Sequence, residues 1–240
     1  MALQEQEVAA FFARLSADAA REPSDVGALL ATLARGGRSL FGASGAKVDY
    51  APDVRTPVRC GGTDPRLRAL ADAGVHWQEG PGHDARTTGC ALIDVDITTP
   101  AAHERWPRWT PRARALGHGR ITALPLRAGE RGTGALVLFC TPGSTLDEEA
   151  LAMARIFTES AGHTLALQHE LSASRVLTGQ LEHALSSRIV VEQAKGMLAA
   201  RRGLSLDEAF NALRGYARSH QRKLADVARE VTEGGLELPA

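Results

Sequence analysis

The sequence predicts an α+β fold in which a small sheet with flanking helices is followed by a long helix and a helical bundle. Between residues 43 and 143, apolar segments of strand length alternate with turns rich in glycine and proline. From 145 to 202 almost nothing interrupts a helical pattern, and the residues beyond are helical in pattern as well. Short strands flanked by separate helices are typical of the α+β class.

Composition places the chain among globular proteins. Its 240 residues are 44% hydrophobic and 23% charged, proportions that exclude a disordered or fibrous chain. No apolar run reaches the roughly 18–20 residues that span a bilayer, and the N-terminal segment lacks the pattern of a secretion signal. Because the three cysteines are odd in number and widely spaced, we expect no disulfide framework and a cytoplasmic location.

The predicted elements of the first part of the chain can be placed in order. Residues 1–23 are expected to form a short amphipathic N-terminal helix, and a second helix carries Leu29, Leu30 and Leu33. Strands are predicted at the following segments: 46–50, 90–97, 121–126 and 135–140. The last segment is apolar throughout, which indicates a central strand that is buried on both faces.

One very long helix is predicted to begin at a capping box formed by Thr145 and Glu148 and to end at Gly203. Apolar residues recur along it in a narrow row, here called the leucine stripe: Leu167, Leu171, Leu177, Leu181, Leu185 and Ile189. A helical pattern of this length is typical of a coiled coil or of a helix shared between domains. We therefore expect residues 166–180 to connect two domains and the leucine stripe to form the seam of a homodimer.

The C-terminal residues predict two further helices. A second capping box, Ser205 and Glu208, begins a helix whose expected inward residues are Leu206, Ala209, Phe210, Leu213 and Ala217. The last helix carries Leu224, Val227, Ala228 and Val231 on one face. Together with the end of the long helix, these elements predict a three-helix bundle over residues 181–235.

Several short motifs in this bundle are similar to those of a known family. They are Ser-Arg-Ile at 187–189, Glu-Gln-Ala-Lys-Gly at 192–196, Asp-Glu-Ala-Phe at 207–210, Leu-Arg at 213–214, Tyr-Ala at 216–217, Lys-Leu at 223–224 and Val-Ala at 227–228. In order and spacing they resemble the ANTAR domain, an RNA-binding module of bacterial transcription antitermination regulators. The resemblance implies binding to paired stem-loops in nascent RNA, which prevents a terminator hairpin from forming.

The charge of the bundle agrees with this resemblance. Residues 188–223 contain eight basic and three acidic residues, although the whole chain has a net charge of zero. Lysine and arginine supply most of the non-specific affinity of proteins for nucleic acids. The candidate RNA-binding residues are Arg188, Lys195, Gly196, Arg201, Arg202, Arg214, Tyr216, Arg218 and Lys223.

Two of these candidates have alternative interpretations. Gly196 interrupts a helix, which indicates a close approach of its backbone either to another helix of the bundle or to a nucleic-acid strand. Tyr216 could pack partly in the core, or it could form a stacking platform for RNA bases together with Arg214 and Arg218. Without the family resemblance, the basic residues would be interpreted as a solvated helix surface.

The preceding part of the chain, residues 24–165, resembles a GAF domain, a small-molecule sensor often fused to ANTAR. The resemblance is carried by Glu-Gly-Pro at 79–81, Arg-Trp-Pro-Arg-Trp at 105–109, Ala-Leu-Pro-Leu at 123–126 and Gly-Ala-Leu at 134–136. It implies an antiparallel sheet flanked by helices and a ligand pocket, for which Trp106, Trp109 and His83 are candidates. Gly82 stands where related proteins commonly have cysteine, which argues against thiol-based sensing at that position.

The cysteines leave one enzymatic alternative open. Some proteins of the GAF fold reduce methionine sulfoxide with cysteine pairs, and Cys60, Cys90 and Cys140 would be the candidate thiols. None of them has the sequence surroundings of a reactive thiolate, and the histidines show no metal-ligand spacing. We therefore expect no enzyme activity, no catalytic residue, no cofactor and no metal.

The sequence thus predicts a regulator that senses a signal with the GAF-like domain and binds RNA with the bundle. The expected partners are a dual stem-loop RNA, a second copy of the chain and a small-molecule ligand of the GAF-like domain, and no membrane partner is expected. The alternatives are a GAF-fold thiol reductase with an accessory helical tail and an adaptor whose bundle binds another protein.

Overall fold

The computed structural model describes residues 8–13, 15, 17, 26–53, 55–127 and 133–236. Residues 8–13 are helical, and Phe11 and Leu15 are buried, whereas the rest of the predicted helix over residues 1–23 lies largely outside the described residues. The chain divides into two compact units, Met1–Glu170 and Leu171–Ala240. Of the described helices, none is long and apolar enough to cross a membrane.

The first unit contains a five-stranded antiparallel sheet. Its strands are β1 (Gly45–Ala51), β2 (Arg59–Gly62), β3 (Leu92–Asp96), β4 (Arg120–Arg127) and β5 (Thr133–Cys140). They lie in the order β2-β1-β5-β4-β3, and every neighbouring pair is antiparallel. The predicted α+β class, the antiparallel sheet and the central position of the strand at 135–140 are confirmed.

Five helices accompany the sheet. They are α1 (Val26–Leu40), α2 (Pro65–Trp77), α3 (Pro81–Thr88), α4 (Pro100–Arg105) and α5 (Trp109–Ala115). Helix α2 begins at an N-cap, Asp64, whose carboxylate accepts the backbone N–H groups of Arg66 and Leu67. Helices α2–α5 were not predicted, since they are short and their apolar residues are few.

The two faces of β5 belong to two separate cores. Leu136 and Leu138 pack with α1 and with the beginning of the long helix, whereas Val137 and Phe139 pack with the two tryptophans of the α4–α5 region. Burial on both faces explains why residues 135–140 are apolar throughout, because none of them is exposed to water.

The long helix α6 spans Glu148–Arg202, close to the predicted limits. Its N-cap differs from the prediction: Asp147 accepts the backbone N–H of Ala150 at 2.7 Å, whereas the Thr145 hydroxyl donates to the Leu146 carbonyl instead of capping the helix. Gly162 lies against the end of β4, where a Cβ atom would be 2.2 Å from the carbonyl oxygen of Arg127. This glycine therefore permits the helix to approach the sheet closely.

The second unit contains the end of α6 together with α7 (Leu206–Ser219) and α8 (Leu224–Thr232). The capping box of Ser205 and Glu208 is formed as predicted. The core is made of small and medium side chains: Ala194, Leu198, Ala209, Leu213, Ala217, Val227, Ala228 and Val231. Leu206 was expected in this core, but it is 54% exposed because it is the first residue of α7.

Candidate nucleic-acid interface

The basic side chains of the second unit point away from its core. Among the candidates, the following are exposed: Arg188, Arg201, Arg202, Arg214, Arg218 and Lys223. Their helices bury alanine, leucine and valine on the opposite side, as expected for amphipathic helices of a bundle. Within the described part of the chain, Arg188, Arg201, Arg214, Arg218 and Lys223 form no ion pair, so their charges are available to an anionic partner.

Lys195 differs from the other candidates. Its side chain is only 19% exposed, and its ammonium group pairs with the Glu192 carboxylate at 2.6 Å, one turn earlier on α6. An RNA phosphate would have to replace that carboxylate in order to contact Lys195. The exposed arginines therefore provide more accessible positive charge than Lys195 does.

Gly196 has no close neighbour among the described residues. A Cβ atom built on it would meet no atom within 4 Å apart from its own helix. Of the two explanations derived from the sequence, close approach of another helix of this bundle is therefore not the one seen in the structure. The surface of α6 beside Gly196 therefore has space for a side chain or for a binding partner.

The environment of Tyr216 also differs from the expected platform. Arg214 and Arg218 lie one turn apart on α7, but Tyr216 is two residues from each, and side chains with that spacing do not face one another. The Tyr216 ring stacks instead on His220, with ring centroids 4.0 Å apart and planes at 22°. His220 was not among the candidate RNA-binding residues predicted from the sequence, because it lies just beyond the helix.

A bidentate ion pair fixes the turn between α7 and α8. The Arg222 guanidinium donates to both oxygens of the Glu230 carboxylate on α8, with a distance of 2.9 Å between Nη1 and Oε2. Hydrogen bonding to Glu230 raises the pKa of Arg222 and lowers the pKa of Glu230. Arg222 therefore has a structural partner inside the bundle, unlike its exposed basic neighbours.

The candidate ligand residues of the first unit lie in its interior. Trp106 and Trp109 are buried, and their rings meet edge to face with centroids 5.7 Å apart. The indole N–H of Trp106 donates to Asp84 at 3.1 Å, and Trp109 stacks on Phe139. Both indoles therefore contribute to the core, and their role in ligand binding remains a prediction.

His83, the third candidate, lies on α3 and was expected in a loop. Its neighbours lower its pKa, first through burial and then through the positive charge of Arg86. The residue before it, Gly82, lies directly against a buried ion pair that sequence analysis did not anticipate: Lys47 and Asp49 on β1, 2.5 Å apart and each 2% exposed.

This ion pair explains why residue 82 is glycine. A Cβ atom there would be 2.2 Å from the Asp49 carboxylate and 2.7 Å from the Lys47 ammonium group. A cysteine side chain at this position would collide with both groups.

Two of the three cysteines, Cys60 and Cys140, do not have the surroundings of reactive thiolates. Cys60 and Cys140 are buried, and burial raises the pKa of both thiols. Nearby carboxylates, Asp49 and Asp94 respectively, raise these pKa values further. Cys90 is exposed. Among the described residues, no group of three or more His, Cys, Asp or Glu side chains is placed to hold a metal ion.

Comparisons with known proteins agree with the division into two units. Residues 179–231 match the model of the ANTAR domain. No curated protein matches the chain by sequence.

Solved structures similar to the chain include two GAF domains and a reductase. The GAF domain of a phosphoenolpyruvate-protein phosphotransferase from Acinetobacter is 12% identical, covers 71% of this chain and 96% of its own, and has a TM-score of 0.48. The corresponding GAF domain from Coxiella burnetii is 12% identical, with coverages of 70% and 98% and a TM-score of 0.49. A free methionine-R-sulfoxide reductase from Neisseria meningitidis is 16% identical, with coverages of 72% and 92% and a TM-score of 0.45. The chain thus carries an ANTAR domain at residues 179–231, preceded by a five-stranded antiparallel α+β domain.

Proposed function

We propose that the protein is a signal-responsive regulator that binds paired stem-loops in nascent RNA and thereby causes transcription antitermination. The ANTAR domain would bind the RNA, and the GAF-like first unit would provide the sensory input. The proposal includes a homodimer in the cytoplasm, in which each copy binds one stem-loop.

The observation that carries this proposal is the ANTAR domain match together with the exposure of its basic residues. Arg188, Arg201, Arg214, Arg218 and Lys223 are exposed and lack ion-pair partners in the described part of the chain. Unpaired surface cations are the groups that bind phosphates and release counterions. The apolar core of the bundle lies on the opposite side of these helices and leaves the basic side chains exposed for that role.

The leucine stripe supports the dimer. Leu167, Leu171, Leu181, Leu185 and Ile189 are between 43% and 66% exposed on α6, as is Leu177 at 56%. Exposed apolar residues that recur along one face of a long helix are typical of the seam between helices of a coiled coil. A second copy of α6 would cover this row, and two linked bundles would bind paired stem-loops more tightly than either bundle alone.

The proposal is tested by measuring RNA affinity at several salt concentrations for the wild type and two arginine variants. Arg214→Ala is expected to weaken binding to a dual stem-loop RNA and to reduce the slope of log K against log salt by about 1, because one phosphate contact is lost. Arg114→Ala is the matched control, since Arg114 is equally exposed but lies in the first unit.

Equal loss of affinity in both variants would indicate a mere dependence on net charge, and no loss in Arg214→Ala would show that α7 does not contact RNA. A bundle that binds no RNA at low salt would support the adaptor alternative.

A further inference from the structure

Two stacked aromatic rings lie at the end of α7, and the proposed function assigns no role to this pair. His220 is exposed and lies immediately after the helix, and its ring covers one face of the Tyr216 ring at a centroid distance of 4.0 Å. Tyr216 is itself partly packed against the core of the bundle. In this stacked pair, Tyr216 is the inner ring, next to the core of the bundle, and His220 is the outer ring.

Hydrogen bonds hold the His220 ring in this position. Its Nδ1 atom lies 3.0 Å from the Tyr216 carbonyl oxygen and 2.9 Å from the Ser219 hydroxyl. A carbonyl oxygen only accepts hydrogen bonds, so the contact with Tyr216 is a hydrogen bond in the tautomer that carries the proton on Nδ1. The opposite nitrogen, Nε2, is directed away from these contacts.

The backbone around His220 is also fixed. Gln221 has a left-handed conformation, with φ of 53°, and its N–H bonds the Arg218 carbonyl, while the N–H of Arg222 bonds the Ala217 carbonyl. These two bonds form a Schellman motif, which terminates α7. Left-handed backbone is unfavourable for a non-glycine residue, and the residue that follows, Arg222, is held by its ion pair with Glu230.

The surroundings of the stack favour a nucleic acid over an uncharged ligand. Arg218 lies two residues before His220 and Lys223 three residues after it, and both are exposed without an ion-pair partner among the described residues. A flat ring with cations on either side along the chain is suited to a nucleobase whose flanking phosphates need neutralising.

We propose that an unpaired base of the RNA loop stacks on the outer face of His220, with Tyr216 behind it and the phosphates near Arg218 and Lys223. This inference rests on the proposed RNA-binding function and adds the group that contacts a base. Stacking of one base on an aromatic side chain contributes about 1–3 kcal/mol, which corresponds to a change in affinity of about 5- to 150-fold.

The test is a double-mutant cycle between the protein and the RNA. A dual stem-loop RNA is made with each loop nucleotide in turn replaced by an abasic nucleotide, and each RNA is titrated with wild-type protein and with His220→Ala. At one loop position, the abasic change is expected to weaken wild-type binding about tenfold but His220→Ala binding less than about twofold. His220→Phe, which keeps a flat ring, is expected to restore the wild-type discrimination.

His183→Ala is the matched control, because His183 is also exposed and lies in the same domain but outside the stack. A 2-aminopurine at the sensitive position gives a second readout, since its fluorescence should be quenched by wild type and less by His220→Ala.

The outcomes separate this proposal from the proposed function. If wild type binds the intact RNA but no loop position is coupled to His220, the stacking proposal is wrong and RNA binding stands. If His220→Ala weakens binding to intact and abasic RNAs equally, His220 only supports the turn, and the stacking proposal is again overturned. If wild type binds none of the RNAs at low salt, the proposed function itself fails.

Discussion

Lys47 and Asp49 show how a single pair of side chains can be misread from sequence. In β1 they alternate with Ala46, Val48 and Tyr50, a pattern that normally places the charged residues in water. The structure buries both faces of the strand, and the two charges meet beneath Gly82. The short apolar segment predicted the strand correctly, but it could not reveal that helix α3 covers the side on which Lys47 and Asp49 lie.

The buried pair leads to a prediction about stability. Lys47→Ala leaves the Asp49 carboxylate buried without its counter-charge, and we expect the free energy of unfolding of the first unit to fall by about 3–5 kcal/mol. Replacing both residues, with Lys47→Met and Asp49→Leu, should cost much less, because no charge then remains buried.

Urea unfolding followed by tryptophan fluorescence measures this effect, since the only tryptophans, Trp77, Trp106 and Trp109, all belong to the first unit. Arg114→Ala, at an exposed position, should change the unfolding free energy by less than about 0.5 kcal/mol. A loss below about 1 kcal/mol in Lys47→Ala would contradict the account of a desolvated ion pair.

At the scale of single elements, sequence patterns predicted those elements that are long or uniformly apolar. Helix α6 and strand β5 were predicted nearly to their limits, because no residue in them conflicts with the pattern. Strand β2 was interpreted as a loop, since its Gly61 and Gly62 are usually turn residues. In the structure a Cβ atom at Gly61 would be 2.5 Å from the backbone of Leu30 on α1, and one at Gly62 would be 2.7 Å from the backbone nitrogen of Arg68 on α2. These glycines therefore permit close packing of two helices rather than a turn.

Helix α3 was not predicted either, because its first residues are also usually turn residues. The Gly-Pro-Gly sequence at 80–82 was interpreted as a connection, but Pro81 is the first residue of a helix, a position that proline favours. For the candidate interface, the sequence predicted which residues are basic and on which helices they lie. It could not predict that Glu192 pairs with Lys195 or that His220 stacks on Tyr216, because both depend on side-chain packing.

The leucine stripe leads to a prediction about the oligomeric state of the protein. Leu181→Lys combined with Leu185→Lys should convert a dimer into a monomer, because lysines would place like charges in the seam. Both leucines are more than 60% exposed within one chain, so the core of the bundle should be unaffected. The measurement is the molar mass in solution by sedimentation equilibrium.

Val176→Lys provides the control for this experiment. Val176 is 61% exposed on the same helix but lies about 180° from Leu185 at 100° per residue, so its substitution should leave the dimer intact. A double variant that remains dimeric, or a wild type that is monomeric, would show that the stripe is not the seam.

For the whole molecule, the net charge of zero conceals an uneven distribution of charge along the chain. The basic excess is concentrated in residues 188–223, whereas acidic residues elsewhere cancel it in the total. The first unit has two apolar cores on either side of a sheet, and the second has a small core that leaves its cations exposed. This arrangement is consistent with a regulator in which sensing and RNA binding belong to different parts of the chain.

If two linked bundles bind paired stem-loops, a titration of the chain with dual and single stem-loop RNAs should reveal it. The affinity of the full chain is measured by fluorescence anisotropy for an RNA with two stem-loops and for each stem-loop alone, at two salt concentrations. We predict that the dual RNA binds at least about 100-fold more tightly than either single stem-loop, because the second contact is intramolecular, and that all affinities fall with salt. Equal affinities for the dual and single RNAs, or no binding at low salt, would contradict the account.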